Sequence, residues 1–173
     1  IDGEGGNDSS GYSVSLSSDG STVAIGAPNN DGNANAAGHV RIYENIGGSW
    51  SQIGQDIDGE AAGDYSGASV SLSSDGNTLA IGAYGNDNNG NYSGQVRVYH
   101  YNGNIWYQLG SDIDGEANND YSGHSVSLSS DGNTIAIGAY RNDGNGDQSG
   151  HVRVYNYRES AWSQLGSDID GEA

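Results

Sequence analysis

The stretch GYSVSLSSDGSTVAIGAP at residues 11–28 carries the two signals on which the fold turns. Val14 and Leu16 alternate with Ser13, Ser15 and Ser17, and Val23 and Ile25 alternate with Ala24 and Gly26. A spacing of two sends successive side chains to opposite sides of an extended backbone, so both segments read as strands. Between them, SSDGST contains the Asp-Gly pair of a short hairpin connection, which turns the second strand back along the first.

The same stretch returns without insertion or deletion, as GASVSLSSDGNTLAIGAY from Gly67 and GHSVSLSSDGNTIAIGAY from Gly123. The rest of the chain keeps step with it. GHVRIY from Gly38 becomes GQVRVY from Gly94 and GHVRVY from Gly150, while Trp50, Trp106 and Trp162 each stand two residues before Gln52, Gln108 or Gln164. IDGE recurs at Ile1, Ile57, Ile113 and Ile169, a period of 57 − 1 = 56 residues. The chain therefore divides into repeats at 1–56, 57–112 and 113–168, with 169–173 expected to start a fourth, as in a window cut from a longer array.

Two further segments alternate. HVRIY puts Val40 and Ile42 on one face and His39, Arg41 and Tyr43 on the other, and SWSQIGQDI from Ser49 alternates Trp50 and Gln52 with Ser51 and Ile53. No segment has a helical period. The expectation is an all-β fold of three four-stranded antiparallel repeats, the blades of a β-propeller that forms part of a larger ring or repeat array. A β-solenoid fits less well, because SDGN-type turns reverse the chain instead of continuing a coil. Ala24 and Gly26, repeated as Ala80 and Gly82 and as Ala136 and Gly138, would let neighbouring blades approach closely. One repeat has too little apolar surface to offset its ordering entropy, so its stability must come from the repeat beside it, in the same chain or in a copy of it.

Composition narrows the function. Twenty-three acidic residues against five arginines and no lysine give a net charge of −18, a surface that repels nucleic acid and attracts divalent cations. Without cysteine there is no disulfide scaffold, thiolate site or cysteine nucleophile. No apolar run approaches the roughly 18–20 residues of a membrane span, so membrane insertion is not expected.

The densest carboxylate group is DIDGEAAGD, with Asp56, Asp58, Glu60 and Asp64, repeated as Asp112, Asp114, Glu116 and Asp120. Alternate acidic residues around a glycine can offer several hard oxygens to one Ca²⁺, so these eight are candidate metal ligands, although no cofactor is required. The competing reading is a solvated turn in which one carboxylate meets Arg41, Arg97 or Arg153 and another holds backbone amides. The long loops centred on Asp31, Asp87 and Asp143 offer the same choice between turn chemistry and an ion or sugar site. His39 and His151 share a phase, but Gln95 takes it in the middle repeat, and His100 and His124 stand elsewhere. A zinc ion in every blade is therefore not expected. Nor is there a nucleophile elbow or phosphate-binding loop. The tryptophans and Tyr43, Tyr99 and Tyr155 suit either a sugar-stacking platform or the outer edge of a blade. Asn7 in NDS and Asn91 in NYS are acceptors for N-glycosylation in a cell that performs it.

GHSVSLSSDGNTIAIGAY and SGHVRVY resemble the FG-GAP type repeats, whose best-known members form the seven-bladed propeller of integrin alpha subunits. The likeness lies in the Gly-x-Ser-Val first strand, the AIGAP at Ala24 to Pro28 (AIGAY in the other two repeats), and the Gly-x-Val-x-Val-Tyr third strand. With SxDGxTxAIGA and WxQxG in each repeat, it looks most like the bacterial and marine variant. Integrin-type blades carry a calcium loop of the form Asp-x-Asp-x-Asp-Gly between the first two strands. Here that loop is shortened to SSDG, with Asp19, Asp75 or Asp131 its only carboxylate, so that calcium site is not expected.

Near-identical repeats offer one contact many times and no unique pocket. The expected function is a non-catalytic extracellular or cell-surface scaffold for adhesion or assembly, filament formation included. Its partners would be neighbouring repeats, copies of itself, glycans or other cell-surface proteins. One rival is a lectin-like propeller that binds carbohydrate or calcium, and another is a propeller domain accessory to an enzyme outside this window.

Overall fold

The computed structural model describes residues 1–172; Ala173, in the segment expected to start a fourth repeat, lies outside them. Fifteen strands form three antiparallel sheets, and no helix is present among the described residues. The first sheet contains β1 (Ser13–Leu16), β2 (Thr22–Ala27), β3 (His39–Ile46), β4 (Ser49–Gln52) and β5 (Ile57–Asp58). The second contains β6 (Ser69–Leu72), β7 (Thr78–Ala83), β8 (Gln95–Tyr101), β9 (Trp106–Gln108) and β10 (Ile113–Asp114). The third contains β11 (Ser122–Leu128), β12 (Thr134–Ala139), β13 (His151–Arg158), β14 (Ala161–Gln164) and β15 (Ile169–Asp170).

Each sheet is four strands wide, because its outermost strand is in two pieces. β4 pairs with the far half of β3 (Tyr43↔Gln52), and β5 pairs with the near half (Val40↔Ile57). The same break occurs between β9 and β10 and between β14 and β15. Sheet membership thus puts Ile57–Asp58 with the first sheet and Ile169–Asp170 with the third. The period is indifferent to where it is cut, whereas the hydrogen bonding groups IDG with the strands before it.

Strand register sorts the side chains onto two unlike faces. The pairs Val14↔Ile25, Leu16↔Val23 and Val23↔Tyr43 set the large residues together on a front face. Ser15↔Ala24, Ala24↔Ile42 and Gly26↔Val40 set small and β-branched ones on the back. The back of one sheet packs on the front of the next. Ala24, Val40, Ile42 and Ile57 of the first sheet form one core with Leu72, Leu79, Ile81, Tyr99 and Trp106 of the second. Ala80, Val96, Val98 and Ile113 repeat this with Ile135 and Ile137 of the third. Each fully buried aliphatic side chain contributes roughly 1.5–3 kcal/mol, and most of these sites need a neighbouring sheet to be buried at all.

Polar contacts sew the seams. Ser13 Oγ donates to the Gly67 carbonyl and Ser69 Oγ to that of Gly123, both at 2.7 Å. Ser15 Oγ accepts from the Leu72 amide and Ser71 Oγ from that of Leu128, both at 2.9 Å. The serines that alternate with Val14 and Leu16 are therefore the stitching between blades, on the face that meets the next sheet. At the outer end of each seam, Trp106 donates from Nε1 to the Ile53 carbonyl at 3.1 Å, and Trp162 to that of Leu109 at 2.8 Å.

Candidate functional site

The chemistry-bearing side chains gather where the segment after one sheet crosses the third strand of the next. β3, β8 and β13 begin His-Val-Arg, Gln-Val-Arg and His-Val-Arg, with the first and third residues of each triplet on the front face. The arginine reaches back over the preceding IDGE segment. Arg41 Nη2 donates to the Asp2 carbonyl at 2.9 Å, Arg97 to Asp58 at 2.8 Å and Arg153 to Asp114 at 3.2 Å. Nη1 of the same arginines pairs with Glu4 at 3.3 Å, Glu60 at 3.6 Å and Glu116 at 3.1 Å. These guanidinium groups are buried; their glutamate partners are half in water.

Two residues before the arginine stands a buried histidine or glutamine. His39 Nδ1 lies 3.9 Å from Glu4 Oε2, and Asp56 completes a group of three. His151 Nδ1 lies 4.0 Å from Glu116 Oε2 and 3.7 Å from Asp168 Oδ2. All three distances exceed a hydrogen bond. In the middle repeat Gln95 Nε2 donates to Glu60 Oε2 at 3.4 Å, Asp112 Oδ2 at 3.1 Å and Asp114 Oδ1 at 3.4 Å. Each aspartate is held from its other side by its own repeat's WxQ glutamine: Gln52 donates to Asp56 Oδ1, Gln108 to Asp112 Oδ1 and Gln164 to Asp168 Oδ1.

The eight carboxylates of the acidic runs do not converge on one point. Asp56 joins Glu4 and His39, Asp112 and Asp114 serve Gln95, and Glu116 joins His151 and Asp168. Glu60 meets Arg97, and Asp58 offers its backbone carbonyl to the same arginine. Asp64 and Asp120 go elsewhere. Both are buried, accepting from the amides of Ala61 and Ala117 at 2.9 and 3.1 Å and from Asn86 and Asn142 at 3.3 and 2.9 Å. They staple the inter-blade loop to the long loop of the next blade. The acidic run is thus dispersed because it leaves one sheet, crosses a seam and enters the next within nine residues, Asp56 to Asp64.

The long loops are built by turn chemistry. Asp31, Asp87 and Asp143 each accept, at 2.7 Å, from the amide five residues on, at Ala36, Tyr92 and Gln148. In the SSDG loop Asp19 accepts from the Ser21 amide and from the Ser17 and Ser21 hydroxyls, and these bonds lower its pKa to about 2. Tyr43, Tyr99 and Tyr155 are drawn into the blades beside Arg41, Arg97 and Arg153, and burial raises their pKa. They do not form a sugar platform.

Another aromatic strip does reach the surface. Tyr65 stacks on Tyr84 at 5.2 Å, Tyr84 on Tyr121 at 5.8 Å, and Tyr121 packs on Tyr140 at 5.7 Å. Arg141 lies over the Tyr121 ring at 4.8 Å. The sequence signal was the substitution of Tyr for Ser9 and Pro28 in the later repeats, at positions 65 and 121 and at 84 and 140.

The sequence profile of the FG-GAP repeat matches residues 57–99 and 112–155, half of the chain. No curated protein matches it. Among solved structures, Saccharomyces cerevisiae Sqt1 is similar over 96% of this chain at 17% identity and a TM-score of 0.61. Hydrazine synthase from Kuenenia stuttgartiensis is similar over 98% at 14% identity and a TM-score of 0.54. This chain covers 37% of the first and 40% of the second, and at such identities the likeness shows a shared propeller-like fold alone.

Proposed function

The chain belongs to the FG-GAP repeat family, and on that premise we propose that it is a non-catalytic repeat scaffold of the extracellular space or cell surface, serving adhesion or assembly by adding blades to its two open faces. The observation that carries this reading is a mismatch between equivalent positions. Leu72 of the second sheet is 7% exposed, whereas Leu16 of the first is 59% exposed. At the other end Ile57 and Ile113 are 4% and 5% exposed, and Ile169 is 61% exposed. The front of the first sheet and the back of the third are the two halves of a seam that is already made twice inside the chain. The occupant that fits each is another blade, from the same protein or a second copy.

Repetition supports the non-catalytic reading. The same staple, ion pair and turn recur blade after blade, whereas a catalytic site needs one asymmetric constellation. The test is light scattering over a range of protein concentrations. Growth in mass with concentration, abolished by Leu16→Asp or Ile169→Asp, supports assembly through these faces. A strict monomer at every concentration overturns it.

A second reading, a lectin-like propeller, is favoured by the strip of Tyr65, Tyr84, Tyr121 and Tyr140, since stacked rings suit the apolar faces of sugars. Glycan-array binding that Tyr84→Ala and Tyr140→Ala remove would support it. Loss of that binding in EDTA, restored by Ca²⁺ and not by Zn²⁺, would add calcium, the metal for which the acidic loops are candidates.

A further inference from the structure

We propose that the clusters formed by Glu4, His39 and Asp56 and by Glu116, His151 and Asp168 each bind one divalent transition-metal ion of the zinc class, and that the equivalent cluster around Gln95 does not.

The histidines supply the first argument. His39 and His151 are 2% and 5% exposed, and among the described residues no hydrogen bond reaches Nδ1 of either ring. Nδ1 faces carboxylate oxygens at 3.7–4.0 Å, too far for a hydrogen bond. That spacing is close to the separation of about 3.3 Å that two ligands 2.0–2.1 Å from a tetrahedral zinc ion would have. The ligand atoms of each group lie within 4.8 Å of one another, so contraction onto an ion needs only small side-chain rotations.

The second argument is how the carboxylates are oriented. Arg41 and Arg153 hold Oε1 of Glu4 and Glu116, leaving Oε2 toward the ring. Gln52 and Gln164 hold Oδ1 of Asp56 and Asp168, and Oδ2 of Asp168 faces His151. Donors on the far oxygen of a carboxylate are the outer-shell support that fixes a metal ligand. One imidazole and two carboxylates are a donor set for zinc and its neighbours, with water as a fourth ligand. The two carboxylates outweigh the single arginine, so a dication is held by net negative charge.

Gln95 supplies the internal reference. Its amide nitrogen brings its own protons to Glu60 Oε2 and Asp112 Oδ2, the oxygens equivalent to those left free in the other two clusters. An amide there fills the place with a donor. An imidazole can turn a lone pair to that place, which an amide nitrogen cannot, and a cation held between it and the two carboxylates then completes the contact. The carboxylates and the arginine recur in all three clusters, and the metal is expected where the imidazole is.

The substitution the protein itself uses gives variants that should fold: His39→Gln, His151→Gln, the double variant, and the converse Gln95→His. Metal-stripped protein is titrated with Zn²⁺ by calorimetry and with Co²⁺ by visible absorption, which reports nitrogen and oxygen ligands directly. Two ions per chain are expected in the wild type, one in each single variant and none in the double variant. Gln95→His should bind a third. Zn²⁺ should raise the melting temperature of the wild type and leave that of the double variant unmoved. Failure of the wild type to bind Zn²⁺, a stoichiometry unchanged in the double variant, or Ca²⁺ bound with the same dependence on the histidines would each overturn the proposal. Melting of the metal-free double variant at the wild-type temperature shows that a lost ion reflects a lost ligand.

Discussion

Gly26 and Gly67 meet across the first seam so closely that a Cβ built on Gly26 would stand 2.0 Å from the Gly67 carbonyl oxygen. Gly82 and Gly123 repeat the contact at 2.0 Å across the second seam, while a Cβ on Gly138, on the open back of the third sheet, finds its nearest atoms in Ser125 of its own sheet. Gly26→Ala and Gly82→Ala should each push a seam apart and destabilise by about 1–3 kcal/mol. Gly138→Ala, measured in dilute solution, should be far milder. Urea titrations of the three variants compare one chemical change in covered and uncovered settings.

Trp106 is 2% exposed and bonded to Ile53, whereas Trp50, at the same phase on the open front face, is 38% exposed. Trp106→Ala should cost about 3–5 kcal/mol, in the range of large buried aromatics. Trp50→Ala should stay within about 0.5 kcal/mol, as for a surface site. Tryptophan fluorescence during unfolding, read in each single variant, checks both values.

The period, the strands, the two-faced register and the need for small residues at Ala24 and Gly26 were all legible, because each is a local pattern that the seam then enforces. The destination of the acidic run was not. Its members are adjacent in sequence, but their partners lie 35 and 17 residues away, as Gln95 shows with Glu60 and Asp112. The histidines carry no repeat signal of their own, because Gln95 takes their phase in the middle repeat. Read as a column, Glu, then His or Gln, then Asp at those two separations, they would have pointed to the seam. The split outer strand was equally hidden, since Ile57 and Asp58 are too few to show alternation and pair only through β3.

Acid should weaken the SSDG turns before it touches the apolar seams. Asp19 is held at about 2 by the Ser21 amide and the Ser17 hydroxyl, and Asp131 is lowered by Ser129 and Asn133. A carboxylate whose pKa is lower folded than unfolded binds its proton more readily in the unfolded chain. Its stabilising contribution is complete above the ordinary aspartate value of about 3.9 and drains away as pH falls through the folded value. Melting curves from about pH 6 to about pH 2 should therefore drop most steeply below about pH 4. Asp19→Asn should be flatter over that window, because an amide accepts the same bonds without titrating.

Association through the open faces must overcome the mutual repulsion of chains that each carry a charge of −18. Raising ionic strength from about 0.01 M to about 0.15 M shortens the screening length from about 30 Å to about 8 Å, so assembly should strengthen with salt. Sedimentation at the two salt concentrations reads the direction. Weaker assembly at the higher salt would mean that charged contacts, not the Leu16 and Ile169 faces, hold the copies together.

The unlike faces of each sheet give any assembly of blades a direction. In both seams a front meets a back, so copies that add through this same contact join head to tail, not by twofold symmetry, and every addition regenerates the site it consumed. Left to itself such a chain of blades has no preferred length. It ends when curvature brings the last back round to the first front, or when a terminal blade of different composition refuses the next.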